Sequence, residues 1–125
     1  MSIPDYYFPI MPYLVVKNAE GFIEFIKAVF DAEEKLLVRH PDGKRMHAEF
    51  TLNGGTILLG QASDAWPPFP APMYSVTENV DELYAKGVAG GATGNQEPGE
   101  HGYDRSAEFL DKWGNQWWLN WPEHG

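Results

Sequence analysis

Arg45-Met46-His47-Ala48-Glu49-Phe50-Thr51-Leu52-Asn53-Gly54-Gly55-Thr56-Ile57-Leu58-Leu59-Gly60 is the stretch whose reading decides the fold. Met46, Ala48, Phe50 and Leu52 are apolar, and His47, Glu49 and Thr51 between them are polar. A period of two predicts a strand with one dry face and one polar face. Asn53-Gly54 follows, a pair that tolerates the positive φ of a two-residue hairpin turn, so Thr56 to Leu59 is expected to fold back on the first strand. His47 and Glu49 then stand side by side on the polar face. Two readings of that pair are open: a solvated sheet face, or part of the lining of a cavity.

The remaining sequence sets bounds. The chain has 125 residues, enough for one domain with a substantial core, and its 43% hydrophobic and 22% charged content is that of a folded protein. A net charge of −9 argues against nucleic acid or an anionic membrane as partner, and leaves room for a cationic ligand. There is no cysteine, which removes disulfides, thiolate metal sites and cysteine nucleophiles from consideration. Pro4, Pro9 and Pro12 interrupt the opening run, and the first basic residue is Lys17, so neither a signal peptide nor a membrane span is expected. The expected location is cytoplasmic.

Residues 1 to 10 read as an extended, tyrosine- and proline-rich arm. Met11 to Lys17 reads as a strand, and Asn18 as the cap of a helix with Phe22, Ile23, Phe25, Ile26, Val29 and Phe30 on its buried side. Glu33 to His40 is a second strand and Pro41 to Lys44 a turn into the hairpin. The proline-rich segment 61–72 is a linker. Beyond it the pattern restarts: a strand at Met73 to Val76, and a helix opened by a capping box at Asn79–Glu82 with Val80, Leu83, Tyr84 and Val88 inward. Then come a glycine-rich stretch at 92–102 holding one weak strand and a loop, a strand at Tyr103 to Leu110, a turn at Asp111 to Asn115, and a closing strand from Gln116. The order is that of a duplicated βαβββ unit, an α+β fold with module one at 11–60 and module two at 73–121. A ferredoxin-like fold is the alternative, and it leaves strands unused.

P-Y-L-V-V-K-N-A, F-I-E-F-I-K-A-V-F, R-M-H-A-E-F, Y-S-V-T-E-N-V-D-E-L-Y and F-L-D-K-W-G-N-Q-W-W-L, taken in that order, resemble the glyoxalase/bleomycin-resistance/dioxygenase (vicinal oxygen chelate) superfamily, and within it the PhnB-like branch. The resemblance runs from Tyr13 to Trp121. It implies two βαβββ modules curling into a cup-shaped mixed sheet, commonly stabilised by dimerisation. It also implies that metal-dependent relatives would place four His, Gln or Glu ligands at positions corresponding to Met11, Glu49, Ala71 and Trp118. Of these, Glu49 alone has ligand chemistry suited to such metals.

Strand alternation places Met11, Tyr13, His47, Glu49, Thr51, Met73, Ser75, Gln116, Trp118 and Asn120 on one face. Leu14, Val16, Met46, Ala48, Phe50, Leu52, Tyr74, Val76, Trp117, Leu119 and Trp121 fall on the other, the helix-packed side. The first set has the mixed polar and aromatic composition of a ligand pocket. Glu49 and His47 are the candidate catalytic residues. Glu49 is read either as a general base with a raised pKa or as a structural partner of Arg105. Met11, Tyr13, Trp66, Phe69, Met73, Arg105, Gln116 and Trp118 are the candidate ligand-binding residues, Trp66 and Trp118 as stacking platforms. The expected function is a binding protein for a small organic molecule, without metal or other cofactor and as a homodimer. The alternative is a metal-dependent lyase, isomerase or dioxygenase.

Overall fold

A computed structural model describes residues 2–43, 46–102 and 104–122. Arg45, which opens the decisive stretch, and Tyr103, the expected first residue of a strand, lie outside the described residues. In chain order the elements are β1 (Tyr13–Val16), α1 (Ala19–Phe30), β2 (Glu33–Arg39), β3 (Met46–Leu52), β4 (Gly55–Gln61), β5 (Met73–Val76), α2 (Val80–Ala89), β6 (Thr93–His101), β7 (Asp104–Leu110) and β8 (Gln116–Pro122). They form two four-stranded sheets, ordered β1-β4-β3-β2 and β5-β8-β7-β6. β1 runs parallel to β4 and β5 parallel to β8, and the other pairings are antiparallel. The same order and sense in both sheets is the duplication that the element sequence predicts.

The hairpin forms where expected. Asn53 and Gly54 take φ of 49° and 79°, the left-handed conformation that lets β4 return directly along β3. Ala48 pairs with Leu59 and Phe50 with Ile57, all four buried, so the dry face of the strand is the core face. α1 covers that face. Asn18 accepts a hydrogen bond from the Gly21 amide at 3.1 Å, and Asp31 ends the helix in the left-handed region at φ 54°. The aromatic residues of α1 also reach the second module: Phe30 stacks on Trp117 at 4.4 Å, Phe25 meets Phe109 at 6.1 Å, and Phe22 meets Trp113 of the β7–β8 turn at 5.4 Å. One continuous core therefore spans both modules. Each such side chain, fully buried, contributes about 1.5–3 kcal/mol.

Module two departs from the expectations in four ways. The capping box does not form: Asn79 makes no side-chain cap, its own amide binds Thr77 Oγ1 at 3.1 Å, and Glu82 pairs with Lys86 at 3.1 Å. α2 buries Val80 and Gly87 and leaves Val88 exposed, because Gly87 sits against the Phe109 ring where no larger residue fits. Segment 92–102 yields the nine-residue strand β6, its register shifting between Gly94 and Gln96 and again between Gln96 and Gly99. Pro98 lies in that second irregularity on an edge strand, where its missing N–H is tolerated. Finally, β5 is turned over relative to expectation. Met73 pairs with Trp117 and packs on the core, whereas Tyr74 and Val76, expected inside, are exposed. A four-residue strand beside a proline-rich segment has too little alternation to fix its face.

The linker is also more than a spacer. Phe69 and Val15 exchange two backbone hydrogen bonds, Phe69 N–H to Val15 O at 2.9 Å and Val15 N–H to Phe69 O at 3.3 Å. The outer edge of β1 is thereby partly covered.

Candidate functional site

Residues directly opposite one another on paired strands share a face. In the first sheet Tyr13, Leu58, Glu49 and Leu36 form one row, and Val15, Gly60, His47 and Val38 the next. These rows lie on the side of the sheet away from α1. Glu49 is 2% exposed although no helix covers it. The covering comes from the arm: Tyr6 Oη donates to Glu49 Oε1 at 2.5 Å and Tyr7 Oη to Glu49 Oε2 at 2.6 Å. Thr56 Oγ1 donates to the Tyr6 carbonyl at 2.5 Å, and Lys35 Nζ stands 5.8 Å from the centre of the Tyr6 ring. His47 completes the set, its Nε2 lying 2.7 Å from Glu49 Oε2.

His47 is held on both sides. Its Nδ1 is 3.1 Å from Tyr13 Oη, and the two rings stack with centroids 5.6 Å apart. Gly60 makes this possible, since a Cβ there would meet Tyr13 Oη at 3.0 Å and the Met46 carbonyl at 3.3 Å. Which partner donates in the Tyr13–His47 bond depends on the protons the imidazole carries. The result is a chain of hydrogen bonds, Tyr13 to His47 to Glu49, ending on a carboxylate that also accepts two phenols.

The electrostatics follow from these contacts. Burial pushes the Glu49 carboxyl upward, but the hydrogen bonds from Tyr6, Tyr7 and His47 and the attraction of His47 outweigh it, and the net shift is downward. Glu49 is thus a stabilised carboxylate and not the raised-pKa base that its position suggested. The same hydrogen bond raises Tyr6 to about 12, with burial and the charge of Glu49 adding to it. Tyr7 is raised for the same reasons, and Tyr13 chiefly by burial.

Arg105 is elsewhere. Its Nε and Nη2 bind both oxygens of Asp81 at 2.8 and 2.7 Å, and Nη1 lies 3.3 Å from Glu100. It therefore ties β7 to α2 and does not pair with Glu49. Met73 packs on the core beside Trp117 and borders an open cleft of about 490 Å³ between the β3–β4 turn and β5.

The matching face of the second sheet carries Tyr74, Trp118 and Glu108 in one row and Val76, Asn120 and Ser106 in the next. Tyr74 and Val76 are exposed, Trp118 is half-buried, and Gln116 exchanges hydrogen bonds with Asn95 at 2.8 and 3.2 Å. Asn120 is 7% exposed, and its Nδ2 has no hydrogen-bond partner among the described residues. Such a donor costs about 1–3 kcal/mol until something accepts from it. Trp66 and Phe69 in the linker are 71% and 70% exposed. Glu49 and Trp118 thus belong to two different sheets.

The four positions implied as metal ligands can be tested against this geometry. Met11 offers a thioether, Ala71 lies against the core, Trp118 has no free lone pair, and Glu49 is already engaged three times. No group of three or more His, Asp or Glu side chains among the described residues is placed to hold a metal ion. These residues do not fit a three- or four-ligand divalent site.

Tyr6, Tyr7 and Gly60 are the site residues that sequence reasoning missed. The tyrosine-rich composition of the arm was a signal. Nothing local, however, says which carboxylate two phenols will seek 42 and 43 residues away.

Comparison with known proteins agrees with the fold. The profile of the glyoxalase/bleomycin resistance protein/dioxygenase superfamily matches residues 7–119. An uncharacterised protein of Mycobacterium bovis is 29% identical, over 89% of this chain and 81% of that one. A Bacillus cereus structure described as a putative 3-demethylubiquinone-9 3-methyltransferase, PhnB protein, superposes with a TM-score of 0.70 at 21% identity, covering 91% of this chain and 99% of that one. The fosfomycin resistance protein FosX of Listeria monocytogenes gives 0.69 at 20% identity, covering 92% and 93%. At these identities the structural likeness concerns the fold alone. The sequence match extends over most of the chain, and the two sheets repeat one βαβββ topology: this chain belongs to the glyoxalase/bleomycin resistance protein/dioxygenase superfamily.

Proposed function

We propose that the chain binds a small organic molecule on the sheet faces turned away from the helices, and does so without a catalytic metal. The observation that carries this reading is the state of Glu49. The one residue at a metal-ligand position with suitable chemistry is buried and already accepts from Tyr6, Tyr7 and His47. The second sheet supports the binding half of the proposal. Trp118 and Tyr74 give a ring surface on which a planar molecule can stack.

The oriented imidazole favours a second reading. His47 is fixed by Glu49 on one nitrogen and faces Tyr13 on the other, an arrangement suited to metal-free proton transfer. In that reading Glu49 positions and His47 moves the proton.

Titrating tryptophan fluorescence with a panel of planar heteroaromatic compounds tests the binding proposal. The expected result is saturable quenching by at least one compound, weakened about tenfold in Trp118→Ala, as loss of about 1.4 kcal/mol of stacking requires. Quenching that is indifferent to Trp118→Ala, or absent throughout the panel, contradicts it.

A further inference from the structure

The two phenols on Glu49 have the geometry of something else. Each donates to a different carboxylate oxygen, at 2.5 and 2.6 Å, which is the two-pronged pattern a planar amidinium or guanidinium makes with a carboxylate. We propose that Glu49 is a two-point docking site for an amidinium- or guanidinium-bearing molecule, and that Tyr6 and Tyr7 occupy it as an intramolecular stand-in. The inference rests on reading this sheet face as a binding surface, and adds the chemical class of its ligand.

Three features support it. Neutral phenols bond the oxygens without cancelling their charge, whereas a cationic fork neutralises the carboxylate and matches its plane with two parallel donors. The chain's net charge of −9 raises the local concentration of cations, although Glu33, on the same face in the row with Thr51 and Thr56, is already paired with Lys35 at 2.9 Å. Space is present as well: a cleft of about 310 Å³ beside the arm is lined by Tyr6, Phe8, Glu33, Thr51 and Thr56.

The arm is also built to leave. It belongs to neither sheet, and its Tyr7 amide bonds locally to the Pro4 carbonyl at 3.1 Å. Among the described residues it is held by the Tyr6 and Tyr7 hydroxyls, the Thr56 hydroxyl on the Tyr6 carbonyl, and Lys35 over the Tyr6 ring. Ile3, Phe8 and Ile10 on either side are 78%, 49% and 91% exposed. Segments with so few buried contacts open at low cost. A cation would replace the two phenols while the His47 contact with Oε2 stays in place.

Calorimetric titration with benzamidine, against the near-isosteric neutral benzamide, is the test. Benzamidine is expected to bind at least about tenfold more tightly than benzamide, and to lose that advantage in Glu49→Gln. Because Glu49→Gln can compromise folding, the Tyr6→Phe/Tyr7→Phe double variant provides a second reading. Removing the competing hydroxyls should raise benzamidine affinity about tenfold if the site is self-occupied nine-tenths of the time. Equal binding of the two probes, or affinity unchanged or reduced in the double variant, overturns the proposal. Heteroaromatic quenching through Trp118 that survives such a result leaves the wider binding reading standing and removes only the cation site.

Discussion

Glu49 keeps its charge because three donors outweigh the cost of burying it, and that balance has a consequence for pH. Its carboxyl titrates below the ordinary value of 4.5, so the folded state binds this proton less readily than the unfolded chain. The stability it contributes is fully present above that value and is lost as pH falls through the depressed folded pKa. In chemical denaturation the wild type should lose stability as pH falls below about 4.5, and Glu49→Gln should flatten that acid limb. At neutral pH the same substitution should cost about 1–3 kcal/mol, since two phenols lose a charged acceptor. An unchanged acid limb in the variant would remove Glu49 from the account. Gly60→Ala checks the other end of the network. The added methyl would press on the Tyr13 hydroxyl and the Met46 carbonyl. A destabilisation of about 1–3 kcal/mol is expected by urea denaturation, together with altered ring resonances of His47.

The elements show what local sequence can and cannot specify. Asn18 and Asn79 look alike as caps, yet Asn18 binds the Gly21 amide and Asn79 caps nothing. Asn18→Ala should therefore cost about 1 kcal/mol and Asn79→Ala close to none, a contrast that thermal denaturation of the two variants resolves. The hairpin was legible because seven alternating residues and an Asn-Gly turn point the same way. β5 was not, because four residues behind a proline-rich segment carry no preference for either face, and its partner Trp117 set the register. α2 was half legible. Its existence followed from periodicity, but its buried stripe runs through Gly87, whose place is dictated by the Phe109 ring of a distant strand. Gly87→Ala should cost about 1–3 kcal/mol, since its Cβ would fall 2.5 Å from that ring.

Taken whole, the molecule has two unlike faces. The helix side is one dry core shared by both modules, in which Phe22, Phe25, Phe30 and Trp117 were legible as apolar positions at helical and strand spacing. The opposite side holds Leu36, Val38, Tyr74, Val76 and Leu110, all exposed, on sheets that do not pair with each other within the chain. We expect a second copy to cover part of this surface, giving a symmetric homodimer. Light scattering at micromolar concentration should return twice the 14.1 kDa chain mass, and a monomer would oppose it. The candidate site was legible in part. Glu49 and His47 followed from alternation, whereas the arm that closes over them follows only from tertiary contacts. Whether that closed arrangement stands in place of a metal site is decided by elemental analysis of untagged protein purified without chelator. The account predicts zinc, nickel, iron and manganese each far below one per chain, in the wild type and in Glu49→Ala alike. One equivalent of any of them in the wild type, lost in Glu49→Ala, would contradict it.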